Sequence, residues 1–267
     1  MIEVFVRGIS VWGPGLAGFD ASRATLTGEA PYVAVPTPAP ASDLLSATER
    51  RRTGVSVRLA MVAAQQAMAM AGLPAGSTRS VFATANADGA VVHAILETLA
   101  GPDRQVSPTQ FHNSVHNAAA GYWSIATGSR ASATSIGCHD ATFGVALLKA
   151  AAEARVEAEP VLLCVYDAPL PWPLAAQGSA DVPFAAGFLL SPDAAPDALA
   201  RLRLAYVAEA PAAGMEAPML AALRPLGRAN PAARALRLLE HLARRQAGAM
   251  SAAMLDGRVD ITVDFLS

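Results

Sequence analysis

Apolar residues along this chain fall into two alternating periods. Runs with strand character occur at Ile2–Ile9, Ser80–Ala83, Ala131–Ile136, Val161–Tyr166, Phe184–Leu190, Leu202–Ala208 and Val259–Phe265. Between them, helical spacing predicts helices over Gly54–Ala71, Val91–Leu99, Asn113–Ala126 and Asp140–Ala158, and a last one within Asn230–Gly248, where Leu236, Leu239 and Leu242 repeat. In the first of these, Leu59, Val62, Ala63 and Ala67 share a face. Val161–Tyr166 is apolar throughout and reads as a buried strand, whereas Val259–Phe265 alternates and closes the chain. Strands separated by helices of this length predict an α/β fold, a mixed sheet with helices on both faces. Proline-rich Ala34–Ala41 and Pro169–Val182 are loops, and Pro192–Ala200 is a turn. No Ser/Gly-rich linker or charge run divides the 267 residues, so a single domain over 1–267 is expected.

Charged residues make up 16% of the chain and hydrophobic ones 53%, against roughly a quarter charged in ordinary soluble proteins. That deficit predicts that part of the surface is buried against a partner. A net charge of −2 and a pI near 6.2 leave no basic footprint for nucleic acid. A strand pattern begins at once, and no run reaches the roughly 18 apolar residues of a bilayer span, so a cytoplasmic protein without a membrane span is expected. The two cysteines, Cys138 and Cys164, have no CxxC companion, which supports neither a disulfide framework nor a metal site. Cys164 sits in the buried strand pattern as a packing thiol. Ala85–Gly89 is neither a GxGxxG nor a P-loop sequence, so nucleotide binding has no support.

The candidate chemistry concentrates between Ser107 and Ala141. Cys138 lies between a strand pattern and a helical one, which places a lone thiol at a helix N-terminus. Unpaired N–H groups and the positive end of the helix dipole there can tune a thiol toward thiolate and hold an oxyanion. Two readings follow: an acyl-accepting nucleophile, or an unreactive thiol in the same turn. His139 is not the base by adjacency, because consecutive helix residues do not face each other, and Asp140 disfavours a thiolate. His112 and His116 stand four apart near the start of the expected helix, a spacing that lets both face one direction, but no carboxylate or third histidine accompanies them in sequence, so no metal site is expected. Tyr122 and Trp123 read as core or interface anchors. Arg50, Arg51 and Arg52 form the one basic cluster, at the start of the expected first long helix. Positive charge there is not stabilising, which favours a specific role.

Several segments, taken in order, resemble the N-terminal half of the β-ketoacyl synthases, the thiolase-fold condensing enzymes. Met1–Leu16 resembles the family's opening strand and Gly-Pro turn, Thr48–Leu73 its first long helix, and Arg79–Gly89 the strand and glycine loop that follow. Thr134–Ala141 sits where the family carries its nucleophile-bearing strand-to-helix turn; Pro160–Ala168 and Phe184–Ser191 match the closing strands. The resemblance covers 1–191 and leaves 192–267 as a divergent C-terminal extension, so it implies a thiolase-like fold reduced to about one half of a condensing enzyme. The family's second half supplies two histidines, a lysine and a glycine-rich loop, and nothing after Ser191 matches them. His241, the histidine of that region, reads as part of an amphipathic helix.

Among these enzymes the chain resembles the short chain-length-factor-type subunits of bacterial type II polyketide and aryl polyene systems. The resemblance implies a noncatalytic partner of a full-length ketosynthase that shapes the acyl or polyene pocket. It implies no cofactor of its own, because the substrate arrives as a phosphopantetheine thioester on an acyl carrier protein. It also assigns His112, Ser114, His116, Asn117, Tyr122, Trp123 and His139 to the interface or acyl pocket, and Arg50–Arg52 to carrier contact. Cys138 departs from the noncatalytic pattern. The alternatives are a Cys138-dependent acyltransferase or thioesterase acting on carrier-bound thioesters, with His112 or His116 as base, and a homodimeric module that sequesters the carrier.

Overall fold

Strand β1 (Ile2–Gly13) is the axis of the computed structural model, which describes residues 1–102, 104–176, 180–212 and 216–266. It pairs antiparallel with β6 (Phe184–Ser191) on one side and β7 (Ala200–Ala208) on the other; the short β2 (Leu16–Ala17) folds back onto its end. Beyond β6 lie β5 (Val161–Asp167), β3 (Arg79–Ala83) and β4 (Ala133–Ile136), these three mutually parallel. Beyond β7 lie β9 (Gly257–Asp264) and β8 (Gly248–Ala253), giving one sheet of order β4-β3-β5-β6-β1-β7-β9-β8. Segment 200–264 therefore continues the sheet that the first 191 residues build.

Alternation along the strands sorts side chains into two cores. Val161, Leu163 and Val165 point with Phe184, Phe188 and Val11 toward α7 (Thr142–Glu157) and α9 (Leu236–Arg244). Leu162, Cys164 and Tyr166 point the other way, toward α3 (Val55–Met70) and α6 (Ala118–Thr127). Double cover explains why β5 and β6 are buried at every position, as the unbroken apolar run predicts. β7 and β9 are covered on one face only, and their outer rows carry Arg201 and Arg203 paired with Asp264 at 3.3 and 2.8 Å.

Helix α3 lies directly on the β1 and β6 backbones. The Ser10 hydroxyl donates to the Ala63 carbonyl at 2.6 Å, a Cβ at Gly187 would stand 2.6 Å from that same oxygen, and one at Gly8 would overlap the Ala67 carbonyl oxygen.

Several expected boundaries move. β1 extends four residues past Ile9, because Gly8 and Ser10 break the apolar alternation where they meet the helix. The single helix expected over Asn113–Ala126 is two: α5 (Pro108–Ser114), opened by Pro108 and a Ser107/Gln110 capping box, and α6. Val115 between them is extended, at φ −74 and ψ 143. The arginine cluster does not open the long helix. It forms the last turn of its own helix α2 (Ala47–Arg52), capped by Ser46, where positive charge suits the dipole instead of opposing it as at the expected helix start. The helix expected over Val91–Leu99 is α4 (Gly89–Ala100), and the last is preceded by the short α8 (Arg224–Ala229). Of the expected loop over 169–182, residues 177–179 lie outside the described residues.

Candidate functional site

The carboxyl ends of β3, β4 and β5 open onto one edge of the sheet, and the turns there are knitted together. Thr84, just past β3, donates its hydroxyl to Asp167 Oδ1 at 2.7 Å, and the same oxygen accepts from the Ala85 and Asn86 N–H groups at 2.9 and 3.1 Å. His116 Nε2 lies 3.1 Å from the Thr84 carbonyl, so this nitrogen is the protonated donor of the contact. Gly137 packs against both, since a Cβ there would stand 2.5 Å from the Thr84 oxygen and 2.8 Å from His116 Nε2. From the other side, the Asn230 amide donates to the Asp167 and Val182 carbonyls at 3.1 and 2.7 Å.

Cys138 is half-buried in this edge and, as expected, caps a helical run, which opens as a 3₁₀ turn. A 3₁₀ turn, His139–Ala141, separates it from α7, with His139 in the left-handed region at φ 47. The turn runs without a gap into α7, so the N-terminal end of the helical run lies at Cys138. Thr142 ties the turn: its hydroxyl donates to the His139 carbonyl at 2.7 Å and accepts the Cys138 N–H at 2.9 Å. Asp140 faces Arg234 at 3.8 Å. Among the described residues no histidine is hydrogen-bonded to the Cys138 sulfur.

The break between α5 and α6 separates the two histidines that were expected on one face. His116 goes to Thr84, whereas the exposed His112 packs edge-on to Tyr122, ring centroids 5.7 Å apart, in a cleft with Glu49, Arg52, Thr109 and Ile125. Tyr122 and Trp123 are buried inside the subunit; the Tyr122 hydroxyl donates to Asn113 Oδ1 at 3.0 Å and Trp123 packs on Phe82. Asn113 in turn donates to the Arg52 carbonyl at 2.9 Å, tying the basic helix to α6. Ser114 folds its hydroxyl onto the Phe111 carbonyl, and exposed Asn117 precedes α6. Cys164 is fully buried, donates to the Ala60 carbonyl at 3.4 Å, and burial holds its thiol far above the ordinary range, as fits a packing residue. His241 is buried on α9 with Nδ1 3.0 Å from the Gln246 carbonyl, and burial lowers its pKa. Among the described residues no group of three or more His, Cys, Asp or Glu side chains forms a metal cage, and no helix is long and apolar enough to cross a membrane.

Thr84, Asp167 and Asn230 were not singled out from the sequence. The available signal was an aspartate closing a strand that is otherwise apolar and covered on both faces. Burial pushes its carboxyl up to about 7, against the opposite pull of the Thr84 hydroxyl and the Asn86 and Ala85 N–H donors. A carboxyl raised in the folded state favours folding while protonated. That contribution is complete below the ordinary value of 3.8 and is lost as pH rises through about 7. Asp167→Asn is therefore expected to match the wild type near pH 4 and to exceed it by about 2 kcal/mol or more at pH 8, read by urea unfolding across that range. A difference independent of pH would remove Asp167 as the cause.

The sheet order, the helices on both faces and the strand-to-helix turn at its carboxyl edge define a condensing-enzyme fold. Residues 27–223 match the family model described as the N-terminal domain of β-ketoacyl synthase, and the chain belongs to that family. No curated protein matches the sequence. Among solved structures, a chain of the ketosynthase ApeO in complex with its chain length factor ApeC from Xenorhabdus doucetiae superposes with a TM-score of 0.73 at 17% identity, covering 98% of this chain and 100% of that one. The ishigamide ketosynthase/chain length factor gives 0.72 at 16%, and a type II polyketide synthase carrier protein in complex with its ketosynthase gives 0.74 at 12%, both covering 100% of each chain. At these identities the likeness is one of fold, the thiolase-like fold expected from the segments.

Proposed function

We propose that this chain is a noncatalytic, chain-length-factor-like subunit that pairs with a full-length ketosynthase and shapes the pocket in which its acyl or polyene product grows. The observation that carries the reading is that the Cys138 sulfur is hydrogen-bonded to no histidine among the described residues, the Nε2–H of nearby His116 being spent on the Thr84 carbonyl. A subunit whose thiol lacks an activating base contributes shape, because packed apolar walls exclude water and stop elongation by overlap. An interface is supported by β4, which among the described residues pairs only with β3, and by Phe111, Val115 and Ile125, which are 66, 40 and 59% exposed on the α5–α6 segment beside it. The substrate then arrives as a thioester on a carrier protein, for which exposed Arg51 and Arg52 with Arg50 are the contact; the chain holds no cofactor of its own.

Co-expression with a ketosynthase of the same gene neighbourhood tests this. We expect a stable one-to-one complex by native mass, Cys138→Ala within about twofold of wild-type product formation, and a loss of carrier affinity when Arg50, Arg51 and Arg52 are neutralised together. His116 against Gly137 keeps acyl transfer through Cys138 as the competing reading. Collapse of product formation in Cys138→Ala would establish that reading in place of ours. Unchanged carrier affinity in the triple variant would remove the arginines from the contact.

A further inference from the structure

Between the start of α3, the loop after β3 and the break at Val115 lies a cavity of about 10 Å³, room for one body the size of a water molecule. Its polar lining is Ser56, Asp88, Asn113, His116 and Tyr166. Asp88 is 8% exposed and reaches it from the loop, where Ala87 takes the left-handed conformation at φ 52 and donates its N–H to the Thr84 hydroxyl at 3.0 Å. The two carboxylate oxygens differ. Oδ1 accepts the Val91 N–H at 3.1 Å as the N-cap of α4, while Oδ2 is buried with no hydrogen-bond partner among the described residues. A Cβ at Gly54, the N-cap of α3, would stand 2.5 Å from Oδ2, so this glycine lets the carboxylate close on the helix. Burial raises the Asp88 carboxyl, and no arginine or lysine answers its charge among the described residues.

The protons of the neighbouring groups are already spent. The Ser56 hydroxyl donates to the Ala87 carbonyl at 3.1 Å, the Asn113 amide to the Arg52 carbonyl at 2.9 Å, and His116 Nε2 to the Thr84 carbonyl at 3.1 Å. That leaves lone pairs on the Ser56 oxygen, on Asn113 Oδ1 beside the Tyr122 hydroxyl it accepts, and on Nδ1 of the neutral His116 ring. Tyr166, 2% exposed, adds a neutral phenol oxygen, since burial holds its proton far above the ordinary range. A lining of acceptors around one uncompensated carboxylate asks for positive charge, which a water molecule does not bring. The charge is single. Calcium takes six to eight oxygens and magnesium keeps several waters, and neither fits one carboxylate in a space of this size. Potassium has nearly the radius of a water molecule, and sodium is smaller.

We propose that this cavity binds one potassium ion, with the Asp88 carboxylate as its charged ligand and neutral oxygens of Ser56, Asn113 and Tyr166 around it. Bound there, the ion ties together the start of α3, the loop after β3 and the break between α5 and α6; the site does not rest on the subunit reading. The chain alone, melted near pH 8 in potassium chloride and in choline chloride of equal ionic strength, is expected to be more stable in potassium. The midpoint should climb with the logarithm of concentration, as for one site, and gain about 5 °C or more at a hundredfold excess over Kd. Asp88→Asn keeps the cap of α4 and the shape of the side chain but removes the charge, and it should melt at one temperature in both salts. Crystals grown in rubidium chloride, whose ion replaces potassium and scatters anomalously, should show a peak beside Asp88 in the wild type and none in the variant. The salt comparison and the rubidium peak need only the wild type, so they decide the matter if Asp88→Asn does not fold. Equal midpoints in potassium and choline, a full potassium effect in Asp88→Asn, or ordered water without anomalous signal beside Asp88 would overturn the proposal. Sodium matching potassium would overturn the choice of ion.

Discussion

Gly8→Val and Gly187→Val are each expected to destabilise the protein by about 4 kcal/mol or more, a large part of the roughly 5–15 kcal/mol that holds a domain folded. The reason is the absence of any yielding atom. A side chain at Gly8 meets the main-chain oxygen of Ala67, and one at Gly187 meets that of Ala63 and the Ser10 hydroxyl, so helix α3 itself must lift from the sheet. Lifting it separates Leu59, Ala63 and Ala67 from Leu162, Cys164 and Leu189, opening the core on that face along its length. Urea unfolding of soluble protein, or loss of near-ultraviolet circular dichroism if the variants collapse without packing, reads the effect. Wild-type midpoints for both would mean that α3 does not press on these strands.

Ser135→Pro is expected to abolish assembly with a ketosynthase while leaving the isolated chain folded. The Ser132 and Ile136 carbonyls accept from the Ser80 and Thr84 N–H groups, so by the two-residue period of a strand Ala133 and Ser135 turn their main-chain groups to the open side of β4. Proline at 135 removes a donor from that open edge without taking one from the β3 ladder. If a partner strand adds there, the complex should weaken at least a hundredfold, as read by native mass or by dilution of the co-purified pair. A second variant, Ile125→Glu, places a charge on the adjoining helix and should act in the same direction. Intact assembly in both would move the interface away from β4 and α6.

The elements most legible in the sequence are those with the strongest local periods. α3 and α7 carry long helical repeats, β5 and β6 unbroken apolar runs, and β9 a strict alternation; each appears at or near the expected residues. β8, GAMSAA, has small residues that favour neither period, and pairing with β9 is what makes it a strand. The break at Val115 is equally silent, because no glycine or proline marks it; the contact of His116 with Thr84, thirty-two residues away, accompanies it.

The candidate site divides in the same way. The strand-to-helix turn near Cys138, its family and the arginine cluster were readable, since each is a contiguous stretch with its own composition, but the separate helix that carries the arginines was not. The missing base was not. His116 donates to the Thr84 carbonyl, and no histidine among the described residues is hydrogen-bonded to the Cys138 sulfur, which no short window of the chain shows.

By itself, then, the sequence determined the class of fold, the double cover of β5 and the order of the segments, because side-chain periodicity is a local property. Tertiary structure alone decided the strand order that leaves β4 at an open edge, the buried carboxylate of Asp167 beneath Thr84 and Asn230, and the cavity beside Asp88. These depend on which distant residues meet, and the free energies that bring them together, close packing and the satisfaction of buried polar groups, leave little trace in any short window of the chain.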